Sequence, residues 1–188
     1  MNALRILAFS VSLMSLVVSL AALLFALRNK NLQFWPPPKK SSWQYYTFWT
    51  VFRIAIWSGI ITAIATWNQF VFPDFLRFGI GLPLLLLGMG IAFYGYFIDL
   101  GIKNTQGLKE GLRTSGLYQY SRNPQYTAGI VGFIGTALVV NSVQLIILCL
   151  LLSLLYLLLP FLEEPWLEKQ YGEAYSHYKL RTPRFLFK

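Results

Sequence analysis

Arg122-Asn123-Pro124-Gln125-Tyr126 opens an apolar run over residues 127–140, Asn141-Ser142 interrupts it, a second apolar run covers 143–162, and Glu163-Glu164-Pro165 follows. As helices rising about 1.5 Å per residue, 124–141 and 142–163 reach roughly 25 and 32 Å. Both lengths suit a hydrocarbon core of about 30 Å. The link at 140–142 is too short for anything but an antiparallel hairpin, so Tyr126 and Glu163, far apart in sequence, come to the same membrane face.

The rest of the chain agrees with a membrane setting. It has 188 residues, 56% hydrophobic, 17% aromatic and 12% charged, with a mean hydropathy of +0.53, which is too apolar for an ordinary soluble domain. Further apolar runs at 6–27, 48–67 and 78–98 give an expected all-α integral membrane bundle of about five transmembrane helices. The first run is about 22 residues long and is followed, not preceded, by Arg28 and Lys30, so it reads as a retained helix and not a cleaved signal. Residues 1–77 would form two helices and a connector, and 78–188 the functional core. Cys149 is the single cysteine and His177 the single histidine, which leaves no disulfide framework and no Cys- or His-based metal site.

The formal charge is +9, yet it points to sidedness and not to nucleic acid. All Lys and Arg except Arg5 and Arg77 fall in the loop after the first span, just inside the second span, in the loop after the third, or in the tail. The excess of positive charge on cytoplasmic loops then places the C-terminus and the site in the cytoplasm and the N-terminus outside, in a bacterial inner membrane or an ER-type membrane.

Between the spans, Gln33-Phe34-Trp35-Pro36-Pro37-Pro38 breaks helix and makes a stiff extended connector. Trp35, Trp43, Tyr45, Tyr46 and Trp49 cluster where it meets the second span, as aromatic rings do at the headgroup level. Residues 99–121 form the longest polar connection, with Gly101, Gly107, Gly111 and Gly116 interspersed. After Pro165, the apolar positions Trp166, Leu167, Tyr171, Tyr175 and Tyr178 predict an interfacial amphipathic helix.

Several of these residues can carry chemistry. Asn123-Pro124 is a favourable helix start, Asn as cap and Pro at the first helical position. It would leave a positive dipole end that, with Arg122, can hold a carboxylate or phosphate. Arg122 is equally able to reach lipid headgroups. Glu163 and Glu164 end a long uncharged run and need cationic partners or water: Arg122, a cationic ligand or a solvated interface. Gly88-Met89-Gly90 permits close helix packing or the close approach of a flat ligand. No Ser/His/Asp constellation is present.

Taken together, 114–126 with its Ser121-Arg122-Asn123-Pro124-Gln125-Tyr126, and Glu163-Glu164-Pro165 followed by Tyr171-Gly172, Tyr175, Tyr178 and Arg181-Thr182-Pro183-Arg184, resemble the membrane methyltransferases that group isoprenylcysteine carboxyl methyltransferase with phospholipid N-methyltransferases. The likeness covers about residues 85–185. It implies S-adenosylmethionine as cofactor and a lipid or lipid-like acceptor reached from the bilayer. Carried over by position, cofactor contacts would come from Gly88, Gly90, Lys103, Glu110, Gly111, Leu112, Arg113, Tyr118, Asn123, Pro124, Gln125, Tyr126 and Glu164. Arg122, Tyr126 and Glu163 would be the catalytic groups, with no metal. The carboxyl methyltransferases also place an arginine shortly before the glutamates, and 157–162 has none, which favours a lipid amine over a prenylated thiol carboxylate. A non-catalytic binding protein on the same scaffold is the rival from another class. Membrane sterol reductases share parts of the tail pattern, but this chain is short for one.

Overall fold

A computed structural model describes residues 2–29, 32–70, 72–108 and 111–186, and among these the chain is helical throughout with no strand. The elements are α1 (Asn2–Arg28), α2 (Trp43–Ala65), α3 (Phe75–Asp99), the single turn α4 (Ile102–Thr105), α5 (Pro124–Val140), α6 (Val143–Tyr171) and α7 (Glu173–Arg181). α1, α2, α3 and α6 are each long and apolar enough to cross a membrane. α5, the short span of the expected five, has 17 residues. It is the central helix, packed against both α3 and α6, so its length is matched to its neighbours and less to lipid.

The expected hairpin is closed by Asn141, whose left-handed backbone (φ 57°) ends α5, and by Ser142, whose hydroxyl accepts the Leu145 amide at 3.1 Å to start α6. Asn141 also holds the α2–α3 loop. Its side-chain nitrogen donates to Asn68 Oδ1 (2.7 Å) and Phe70 O (3.1 Å), and its Oδ1 accepts from Phe72 N (3.1 Å). Arg5 reaches the same loop at Gln69 (2.8 Å). The start of α1, the α2–α3 loop and the α5–α6 turn thus share one end of the bundle. The other end collects residues 32–42 of the connector, residues 100–108 and 111–123, and the tail to residue 186.

Close approach of α3 and α5 rests on glycine. A Cβ on Gly88 would lie 2.3 Å from Gly132 N, and one on Gly135 2.2 Å from Leu85 N. Around the bundle α1 packs on α2 and α6, α6 on α5, and α5 on α3, whereas α2 and α3 are not packed along their lengths. An apolar groove of about 450 Å³ occupies the space between them, floored by α5 and α6 side chains such as Phe133, Leu148 and Leu152.

The tail differs from expectation in one respect. α6 does not stop at Glu163-Glu164-Pro165 but continues through Pro165 to Tyr171, and the second helix begins only after Gly172 (φ 54°). A proline inside a helix costs about 3 kcal/mol. Here the turn is held from outside, because Glu163 and Glu164 on the same turn are each bound to other elements. Residues 166–171 therefore extend α6, and only 173–181 form the separate tail helix.

Candidate functional site

The tail closes over the start of α5 through a set of specific bonds. Arg122 N donates to Pro183 O (2.9 Å), Asn123 Nδ2 to Arg184 O (3.1 Å) and Ser121 Oγ to Arg184 O (3.2 Å). Asn123 thus spends its side chain on the tail and not on capping α5, correcting the expected cap. Tyr178 Oη donates to Tyr118 O (2.6 Å) and Tyr118 Oη to Gln125 Oε1 (2.7 Å). Burial pushes both phenols up, so they remain protonated donors.

The two glutamates have separate fates. Glu164 is buried between two guanidinium groups: Arg122 donates through Nε (3.1 Å) and Nη2 (2.9 Å), and Arg184 through Nε (3.0 Å) and Nη2 (2.8 Å). Arg122 also donates from Nη1 to Lys179 O (3.1 Å) and Thr182 O (2.6 Å). The helix start is therefore covered, not the exposed positive end expected, and the triad of two arginines and one glutamate carries a net positive charge. Glu163 takes a different partner, accepting from Tyr126 Oη at 3.0 Å.

These groups border a narrow polar cavity of about 50 Å³ between the 100–118 segment, the start of α5, the end of α6 and α7. Of the residues named from the sequence, Gly111, Leu112, Arg113, Tyr118, Arg122, Asn123, Gln125 and Glu163 line it. Tyr126 and Glu164 stand behind the wall, bonded to Glu163 and Arg122. Gly88 lies in the α3–α5 contact, and Gly90 is exposed with nothing within 4 Å of a Cβ. Lys103 is exposed on α4 and outside the cavity lining. Glu110 lies outside the described residues. No group of three or more potential metal-ligating side chains occurs among the described residues.

The loop wall is built around Asp99. Its Oδ2 accepts the Leu117 amide at 2.7 Å, and Arg113 Nε donates to its backbone carbonyl. A Cβ on Gly116 (φ 63°) would fall 2.4 Å from Asp99 Oδ1, so only glycine fits. Sequence reading missed Asp99, which ends an apolar run without a motif around it. It gave Tyr175 no site role, reading it as part of an amphipathic face and of the family pattern. Tyr175 lines the cavity, is 1% exposed, and its hydroxyl is buried without a hydrogen-bond partner. A buried orphan hydroxyl beside a cavity awaits a polar ligand atom.

Behind Tyr126 lies a second cavity, of about 210 Å³ and aromatic walls, which meets the groove between α2 and α3 at Phe52, Tyr96 and Tyr156. Tyr126 lines this chamber and Glu163 lines the polar cavity, so their hydrogen bond spans the partition between the two. Arginines, a carboxylate, tyrosines and amides together suit a zwitterionic ligand on the polar side, and an apolar molecule can reach the partition from lipid.

Fold and site define a helical integral membrane protein with its reactive groups gathered at one end of the bundle. A profile of the phospholipid methyltransferase family matches residues 76–174, and the chain belongs to this family. It is 32% identical over 85 residues to a phosphatidylethanolamine N-methyltransferase of Debaryomyces hansenii, covering 44% of this chain and 10% of that protein. Its identity to a phosphatidylethanolamine N-methyltransferase of Saccharomyces cerevisiae is 29% over 144 residues, 70% of this chain and 16% of that protein. To the enzyme of the same name from Talaromyces marneffei it is 26% over 123 residues, 58% of this chain and 12% of that one. The chain therefore spans only about a tenth to a sixth of the length of these curated relatives. No solved structure matches it.

Proposed function

We propose that this chain transfers a methyl group from S-adenosylmethionine to the amine of a membrane phospholipid, with the polar cavity holding the cofactor and facing the cytoplasm. The observation that carries the reading is the Tyr126–Glu163 bond at the partition between a polar cavity and a lipid-accessible chamber. Family membership supplies the reaction class.

The residues present fit the cofactor's chemistry. Arg113 and Arg122 offer positive charge to its carboxylate, Glu163 offers negative charge to its cationic groups, and Tyr175 offers the unpartnered hydroxyl. When bound, the cofactor would supply an electrophilic methyl group on cationic sulfur, with a neutral thioether as the leaving group. The chain's own tasks are alignment, exclusion of water and removal of one proton. A protonated lipid amine has no free lone pair, and Glu163, steadied by Tyr126, is the carboxylate placed to take that proton. At about 50 Å³ the polar cavity is below the roughly 300–1,000 Å³ of typical ligand sites. Cofactor entry therefore requires the cavity to widen.

A carboxylate acceptor is disfavoured because no cationic side chain lines the aromatic chamber among the described residues. The test is methyl transfer to an ethanolamine-headed phospholipid by the purified protein, wild type against Glu163→Gln. The variant should be slowed by about a hundredfold or more with cofactor affinity kept within a few-fold. No transfer by the wild type to any lipid amine would overturn the reading.

A further inference from the structure

The connector and α2 precede the segment that matches the family, yet they supply four of the ten residues that line the aromatic chamber. Trp35 comes from the connector and Phe48, Trp49 and Phe52 from α2, opposite Tyr96 on α3, Tyr126 on α5 and Tyr156 on α6. The Trp35 ring stacks on Phe48 at 4.2 Å between centroids, and Trp49 meets Trp35, Phe48 and Phe52 edge to face at 6.1, 5.5 and 5.9 Å. Trp35 is 4% exposed and packs inside the protein, whereas Trp43 and Tyr46 are 59% and 60% exposed.

Two features make this more than packing. The indole nitrogen of Trp49 is buried with no hydrogen-bond partner, and that of Trp35 is buried beside Glu163. The carboxyl group of Glu163 stands behind Tyr126, and no charged side chain lines the chamber itself among the described residues. Aromatic faces backed by a carboxylate attract cations, and weakly hydrated alkylammonium ions above all. A primary ammonium brings three N–H donors to walls that are mostly apolar and offer the hydroxyls of Tyr96, Thr105, Tyr126 and Tyr156 as acceptors, whereas each methyl removes one donor and adds apolar surface that suits the rings.

The groove supplies the rest of the molecule's path. It leaves the chamber at Phe52, Tyr96 and Tyr156 and follows the small residues Ala55, Gly59 and Ala63 of α2. From Phe52 to Ala63 the helix rises roughly 16 Å at about 1.5 Å per residue, enough for much of a lipid chain.

We infer that the chamber seats the acceptor's ammonium head group, that the groove between α2 and α3 holds one of its chains, and that the chamber favours amines already carrying methyl groups. This rests on the phospholipid-amine reading and adds the acceptor site and its preference. The unpartnered Trp49 N–H is a donor for an oxygen of the head group.

The test is equilibrium binding of short-chain phospholipids to the full chain in detergent, with trimethylammonium, primary ammonium or glycerol head groups on the same chains. The trimethylammonium lipid should bind about tenfold more tightly than the glycerol lipid, with the primary ammonium between them. Trp49→Leu should erase that preference. Trp49→Phe should keep most of it, since a ring face remains, and Trp57→Leu, exposed on the far side of α2, should leave it intact. Cofactor affinity within a few-fold of wild type shows that each variant is folded. Equal binding of all three head groups, or a preference unchanged in Trp49→Leu, overturns the inference. Methyl transfer without the preference would sink this proposal alone. The preference without cofactor binding would sink the methyltransferase reading and leave the chamber's specificity standing.

Discussion

Glu163 and Glu164 are adjacent, yet each has one kind of work. Glu164 is enclosed by Arg122 and Arg184, with a side chain only 4% exposed, and joins the start of α5 to the tail. Removing its charge leaves two guanidinium groups facing each other in a buried place. Glu164→Gln should therefore destabilise the protein by about 3 kcal/mol, read as a lowered thermal midpoint in detergent, and weaken cofactor binding through a displaced Arg122. A midpoint unchanged from wild type would show that the triad does not hold the tail. At this scale the sequence was informative about identity and poor about pairing. It singled out both glutamates and Arg122, since charges beside long apolar runs need partners, but nothing local could assign Arg122 and Arg184 to Glu164 and Tyr126 to Glu163.

Among the elements, α3 and α5 are the pair whose packing fixes the site, because Gln125 and Tyr126 project from the first turn of α5. The Gly-x-Gly of α3 divides its roles along that contact. Gly88 meets the backbone of Gly132, while Gly90 faces away with nothing nearby. Gly88→Ala should cost about 1–3 kcal/mol through overpacking, while Gly90→Ala should be nearly neutral in thermal unfolding. Equal effects would contradict the close α3–α5 approach. The spans and the hairpin at Asn141-Ser142 were legible because apolar run lengths and a two-residue link leave few choices. The continuation of α6 through Pro165 was not, because proline reads as a stop unless the bonds made by its neighbours on other elements are known.

For the whole molecule, the decisive feature is the order of packing, which leaves α2 and α3 apart and opens a groove to the aromatic chamber, the route we propose for lipid. That order is a long-range property, so the sequence could announce amphiphile-facing helices but not which two would stand open. The connector's aromatic cluster shows the same limit: composition placed it at a membrane surface, and only the fold turned Trp35 and Trp49 inward. The most direct trial of the central claim is transfer of labelled methyl from S-adenosylmethionine into organic-extractable lipid by membranes containing the protein, followed by mild base. Label that survives base on the lipid amine is the expected result. Label released as methanol would mean a carboxyl ester, and no label at all from a broad lipid extract would mean that the partition between the two cavities is not a site of methyl transfer to lipid.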